Sequence, residues 1–369
     1  MTDSAIRAAD PATFRAQFPV FDRLSYLNAG TEGPVPARSA EAAHRRVDLE
    51  TLQGRCGKPY FDGLMSLRDQ VREAYAAVIG AATADVALTG STTDGVNTVI
   101  SGLDLRAGDE ILTTEEEHPG LLGPLGRARR RPGVTVREVP FAEIANEVTS
   151  STRLVACSHV SWVSGRIVDT EALAATGVPV LLDAAQAIGA VPVDVEELGC
   201  AFYAASGQKW LCGPEGSGCL YVRAEHLDDL LVPWPGYSSI ADPQRALEFE
   251  PAEGAARLDH GFPTGIRSAW SLASLGVFEE AGWPWVHERA ASLAASLADK
   301  LRERGLEVLQ RDRSTLVSWR SADPEADVQR LAEEDVVVRF IAAFGVVRAS
   351  VGAWSSEEEL ERVVGLAAV

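Results

Sequence analysis

Lysine is nearly absent: of 34 lysine and arginine residues, only Lys58, Lys209 and Lys300 are lysines. Against 53 acidic residues this leaves a net charge of −19, a surface that repels nucleic acid and anionic membranes. A small anionic ligand stays compatible with that charge if cations gather in one cleft. Cysteine is sparse as well. Cys56, Cys157, Cys200, Cys212 and Cys219 contain no CxxC pair, so no zinc cage is expected, and an odd number leaves at least one unpaired. Reduced thiols in the cytoplasm are the simplest account. No apolar run approaches membrane-spanning length, and Met1 to Arg7 carries acidic and polar residues where a signal peptide would be apolar. The expectation is a soluble cytoplasmic protein with no membrane, nucleic-acid or metal partner.

What is present suits a globular protein of one large domain and a smaller one: 369 residues, 46% hydrophobic and 24% charged. A strand over 25–28 runs into a Gly/Pro turn, and two amphipathic helices follow near 37–52 and 63–79. Apolar strands at 86–89, 110–113, 134–139, 154–158, 178–183, 200–204 and 218–222 alternate with helices opening near Thr93 and Pro119. Such strands imply an α/β fold with a mainly parallel sheet covered on both faces. After about Pro251 the pattern changes. A Pro/Gly-rich loop (251–265) leads to long helices near 266–281 and 286–304, then to short strands at 316–319, 336–339 and 346–350. The expected division is a large domain over 18–252, with 1–17 and 253–369 forming an N-terminal segment and a small α+β domain.

Lys209 stands in Ala205-Ser206-Gly207-Gln208-Lys209-Trp210-Leu211-Cys212-Gly213-Pro214, after an apolar run and before a glycine-rich turn. A lone ammonium there is poorly solvated, which lowers its pKa and favours the nucleophilic amine of a Schiff-base lysine. Asp183 ends the apolar strand before Ala184-Ala185-Gln186, and ligands of open α/β sheets gather at strand carboxyl ends. A carboxylate there can pair with a pyridinium nitrogen, and Gln186 can donate to a ring phenolate. Gly90-Ser91-Thr92-Thr93 enters a helix with hydroxyls and free N–H groups suited to a phosphate. His118, after Glu115-Glu116-Glu117 and before Pro119-Gly120, can stack on an aromatic ring and move protons. The acids before it read as a solvated face that also complements a helix dipole. Each residue also has a plainer reading: a snorkelling lysine, helix-capping Asp and Ser/Thr, a solvated histidine.

The order phosphate turn, histidine, strand-end aspartate, lysine resembles the pyridoxal-phosphate (PLP) enzymes of aminotransferase class V, of fold type I, across nearly the whole chain. Val180-Leu181-Leu182-Asp183-Ala184-Ala185-Gln186 and Ser206-Gly207-Gln208-Lys209-Trp210 carry the most specific likeness. The group includes cysteine desulfurases, isopenicillin N epimerase-like proteins and cysteine C–S lyases, and has a seven-stranded type of sheet. The resemblance implies that Lys209 binds PLP as a Schiff base, that Asp183 pairs with the ring nitrogen and that Gln186 meets the phenolic oxygen. His118 stacks on the ring, and Thr92, Thr93, Ser206 and Gln208 hold the phosphate. Arg348 matches the arginine that binds the substrate α-carboxylate, with Arg339 assisting, and the active site lies at a homodimer interface.

Desulfurases also need a thiol on a loop of the small domain, and this chain has no cysteine after Cys219. Persulfide-forming desulfuration is therefore disfavoured. Trp162 stands where desulfurases place an asparagine beside the cofactor, Gln208 where they place a histidine, and Phe262 near the threonine that reaches the partner's phosphate. The likeness is greatest to the cyst(e)ine C–S lyases. The expected reaction is β-elimination: Lys209 removes the α-proton, the sulfur substituent leaves, and aminoacrylate hydrolyses to pyruvate and ammonia. Lyases of sulfoxide conjugates fall under the same chemistry. An aminotransferase or an epimerase is the alternative.

Overall fold

The computed structural model describes residues 9–261 and 264–367. Its twelve strands are β1 (Ser25–Tyr26), β2 (Val86–Thr89), β3 (Glu110–Thr114), β4 (Thr135–Val139), β5 (Thr152–Ser158), β6 (Val180–Asp183), β7 (Phe202–Ser206), β8 (Gly218–Val222), β9 (Leu316–Arg320), β10 (Val336–Val337), β11 (Arg339–Ile341) and β12 (Val346–Ser350). Seven form one sheet in the order β2-β8-β7-β6-β5-β3-β4, and only β8 runs antiparallel to its neighbours. The all-buried runs Val-Leu-Leu-Asp and Phe-Tyr-Ala-Ala-Ser occupy its centre, because both faces are covered. This is the expected α/β architecture of fold type I.

Parallel register sets the site. Ser158 lies opposite Asp183, and Asp183 opposite Ala204, so β5, β6 and β7 end side by side. The helix Thr92–Gly102 follows β2 with Ser91 as its N-cap, whose hydroxyl accepts from Asp94 N at 3.1 Å. Such a cap contributes about 1 kcal/mol and leaves the first-turn N–H groups facing the strand ends. The helix Pro119–Ala128 follows β3, with His118 itself as N-cap.

A three-stranded antiparallel sheet, β11-β12-β9, packs on the helix Trp283–Glu303 around its own apolar core. The strand expected over 336–339 is broken at Val338. β10 pairs with β1 in a two-stranded parallel sheet while β11 pairs with β12, so the chain changes partners there. The second amphipathic helix begins earlier than its apolar pattern indicates, at Gly57, whose φ of 77° suits the bend into it. The helix Gly265–Ala281 packs against the helices Ala37–Gln53 and Gly57–Ile79. The short N-terminal helix Pro11–Arg15 lies against Phe278 and the Trp354 region, with Arg15 bonded to Glu359 at 2.7 Å. Among the described residues no helix is long and apolar enough to cross a membrane, and no acid, histidine and cysteine cluster could hold a metal. Met1 to Arg7 and Phe262 lie outside the described residues.

Candidate active site

The strand ends enclose a cavity of about 230 Å³. Lys209, Asp183, Gln186, His118, Trp162 and Arg339 line it, and so do Thr92, Thr93, Ser206 and Gln208. Residues more than a hundred positions apart are thus brought to one place by the sheet.

Lys209 lies in the turn leaving β7. Cys212 N donates to its carbonyl at 3.1 Å, Gly213 N to Gly207 O at 2.9 Å, and Gly33 N to Gln208 O at 2.7 Å. A Cβ on Gly33 would collide with the Lys209 carbonyl, so this contact requires glycine. Cys212 takes a left-handed φ of 53°, a strain offset where its carbonyl accepts from Trp270 Nε1 at 3.0 Å and Ser274 Oγ at 2.8 Å. The turn is therefore rigid. Burial pulls the Lys209 ammonium from 10.5 down to about 8, against the opposing charge of Asp183. At pH 7.4 a pKa of 8 leaves roughly a fifth of the amine neutral, far above the fraction for an ordinary lysine.

Asp183 is buried, and its carboxylate accepts from Ala185 N at 3.0 Å. Burial raises its pKa, while that hydrogen bond and Lys209 lower it. Gln186 is fixed from two sides: its amide donates to Gly30 O at 2.7 Å and accepts from Trp210 Nε1 at 3.0 Å. One amide N–H stays available, and the part played by Trp210 has no signal in the sequence. His118 Nδ1 accepts from Gly120 N at 3.0 Å, which puts the imidazole proton on Nε2. Burial, with Lys209, Arg339 and Arg348 nearby, pulls its pKa to about 4, so the ring is neutral at pH 7. It meets the Trp162 ring edge to face at 4.8 Å.

The Thr92 and Ser206 hydroxyls are buried without hydrogen-bond partners and free to donate, and the Gln208 side chain lines the cavity with them. They converge at the start of the helix Thr92–Gly102, where free N–H groups and the helix dipole favour an anion. This arrangement can bind a phosphate, and the Asp183 carboxylate and Lys209 amine suit the ring nitrogen and aldehyde of PLP. The residues present fit that cofactor.

Arg348 and Arg339 sit opposite each other across β12 and β11. Arg348 has no solvent exposure, and its Nη1 donates to Trp162 O at 2.7 Å. Its Nε and Nη2 have no partner, leaving one edge of the guanidinium free for a carboxylate. Arg348 does not itself line the cavity, but a Cβ on the cavity-lining Gly30 would lie 3.0 Å from its Nη2. Burial, with Arg339 adding, lowers the Arg348 pKa to about 9. Arg339 reaches the cavity, donates to Thr31 Oγ1 at 3.1 Å and lies 5.8 Å over the Trp162 ring.

Of the acidic run before His118, Glu115 is exposed as expected, while Glu116 and Glu117 depart from a solvated role. Glu116 is bonded to the Ser161 and Ser164 hydroxyls and to Arg166, and so fixes the loop that carries Trp162. Glu117 is 2% exposed and accepts from Thr114 Oγ1 at 2.6 Å, Ser158 N at 3.0 Å and Ser158 Oγ at 2.5 Å. It ties the end of β3 to the end of β5, beside Asp183. Burial raises its pKa from 4.5 to about 7 in spite of those hydrogen bonds. A carboxyl whose folded pKa lies above its unfolded value stabilises the fold at low pH, and that benefit is lost as pH rises through the window from about 4.5 to 7. The size is about 3 kcal/mol. Thermal midpoints are expected to fall from pH 5 to pH 8 by more in the wild type than in Glu117→Gln, and equal slopes would contradict this origin.

A strand-end amine, a buried acid facing it and an anion cradle at a helix start define a fold type I PLP enzyme. The model of the family described as "Aminotransferase class-V" matches residues 62–363, and the chain belongs to that family. Isopenicillin N epimerase of Streptomyces clavuligerus is 32% identical over 65% of this chain and 62% of its own length. A probable cysteine desulfurase of Mycobacterium leprae is 27% identical over 96% of this chain and 95% of its own. The solved structure of the cystine C–S lyase C-DES with its product cysteine persulfide superposes with a TM-score of 0.89. The identity there is 28%, over 95% of this chain and 98% of that one.

Proposed function

We propose that this enzyme cleaves the C–S bond of a cysteine-derived amino acid by β-elimination, giving pyruvate and ammonia. The observation that carries the reading is Lys209: a nearly desolvated amine, poised near neutral pH, in a cavity that no cysteine lines. Cys157, Cys200, Cys212 and Cys219 are buried, and the exposed Cys56 precedes the helix Gly57–Ile79. None lines the cavity, so a base mechanism without an enzyme thiol accounts for the chemistry best. The cystine C–S lyase of the same fold supports this choice.

PLP, when bound, supplies the electron sink that takes up the charge left at the substrate α-carbon. Asp183 keeps the ring nitrogen protonated through its buried carboxylate. Gln186 donates its remaining amide N–H to the phenolic oxygen, and the neutral His118 imidazole, with Trp162, packs the ring. Thr92, Thr93, Ser206 and Gln208 hold the phosphate. Arg348 grips the substrate carboxylate through Nε and Nη2, with Arg339 assisting. That grip orients the α-proton toward Lys209 Nζ, which removes it, and the sulfur leaves with its bonding pair. The small domain over 253–369, with 1–17, carries the carboxylate clamp, and the large domain over 18–252 carries the cofactor residues. The chain works as a homodimer, and a fully active monomer in sedimentation would contradict this.

The enzyme supplied with cystine, cysteine and S-substituted cysteines is expected to release pyruvate together with a persulfide, hydrogen sulfide and a thiol, respectively. Transfer of the amino group to a keto acid without pyruvate release would support an aminotransferase instead. Loss of optical purity at the α-carbon alone would support an epimerase.

A further inference from the structure

Glu32 has no part in the reaction just described, yet it lines the same cavity as Lys209. Its main chain is held from several sides. Glu32 N donates to Asn28 O at 3.2 Å, and Tyr26 Oη donates to Glu32 O at 2.9 Å. The next residue, Gly33, is bonded to the lysine turn through Gln208 O at 2.7 Å. The preceding Thr31 hydroxyl donates to Asn28 Oδ1 at 2.7 Å and accepts from Arg339. The backbone of Glu32 is therefore held in place relative to the lysine turn, while among the described residues no hydrogen bond or ion pair reaches its carboxylate. Burial raises its pKa, the like charge of Glu215 adds to that, and only the Lys209 ammonium opposes it. Lys209 must be neutral before it can take the α-proton, and it becomes an ammonium again once it has done so. While Lys209 is neutral, the half-buried Glu32 carboxylate that lines the cavity is without its one opposing charge, which is costly unless it takes up a proton or the ligand brings a cation.

We propose that Glu32 is a specificity-determining residue that selects substrates with a protonated amine at the far end of the side chain. This rests on the C–S lyase reading and narrows its substrate class to disulfides and thioethers of cysteine that end in an ammonium group. The bonds broken are unchanged: the α-proton goes to Lys209, the sulfur leaves with the Cβ–S pair as an amine-bearing thiolate from a thioether or as an amine-bearing persulfide anion from a disulfide, and water releases ammonia and pyruvate. Arg339 does not satisfy Glu32 itself. It is bonded to Thr31 and lies over Trp162, outside ion-pair distance of the acid.

The test compares S-(2-aminoethyl)-L-cysteine with the uncharged S-ethyl-L-cysteine of similar length. The wild type is expected to prefer the aminoethyl compound about tenfold in kcat/KM, the size of one charge-assisted hydrogen bond. In Glu32→Gln that ratio is expected to fall to near one. A second arm needs no turnover: L-lysine, which has no β-leaving group, is expected to bind the wild type more tightly than L-norleucine by a similar factor. The Gln variant is expected to lose that difference. Equal handling of charged and neutral ligands by the wild type overturns the inference. So does an equal loss for both substrates in Glu32→Gln, which would make the residue a general acid. Absence of pyruvate from every S-substituted cysteine would overturn the lyase reading alone, because the lysine and norleucine arm still reports on Glu32.

Discussion

Lys209→Ala is expected to lower pyruvate release at least a thousandfold, the upper range for loss of a positioned base. The side chain is nearly desolvated within the cavity, and its pKa of about 8 means the fold already disfavours its charge. Removing a cation whose folded pKa lies below its unfolded value takes away a destabilising group at pH 7, so the thermal midpoint is expected to hold or rise. Activity and stability thus move apart, which separates a chemical role from a structural one. Lys209→Arg is not expected to rescue, because a guanidinium stays protonated and cannot accept the α-proton. Pyruvate assays and thermal melts on both variants check the pair of expectations. Residual turnover within tenfold of the wild type would remove Lys209 as the base.

The residues of the cavity were legible in the sequence to the extent that they sit at ends of regular elements. Asp183, Ser206 and the Ser91 cap close apolar strands or open helices, so their direction followed from the parallel sheet. The aspartate also showed its plainer role, since it caps the turn at Ala185 while facing Lys209. What stayed hidden depends on tertiary contact. Glu116 and Glu117 lie in a run of three acids, which composition alone reads as solvated, and only the approach of β5 buries them. Val338 breaks one apolar run into strands of two sheets, a choice made by partners far away in the chain. Glu32 sits in a Gly/Pro turn with no periodicity, and its relation to Lys209 arises from one backbone contact at Gly33. Arg348 was recognisable, but not the complete burial that leaves it one free edge.

Asp183→Asn should lower kcat by about a hundred- to a thousandfold, the usual cost of removing one preorganised electrostatic contact to a developing charge. The amide keeps an oxygen for Ala185 N and nearly the same volume, so the turn at the end of β6 is retained. The exchange removes a buried charge whose pKa burial has raised, so the fold is not expected to weaken. Two neighbours report the loss independently of catalysis. The Asp183 charge holds the Lys209 pKa up, so in the unliganded variant the amine should titrate below about 8. The same charge raises Glu117, so the pH window over which Glu117 costs stability should move down from about 7. Titration of the Lys209 amine and thermal melts across pH 5 to 8 measure both. A variant that loses activity while both shifts are missing would place the defect in packing rather than in charge.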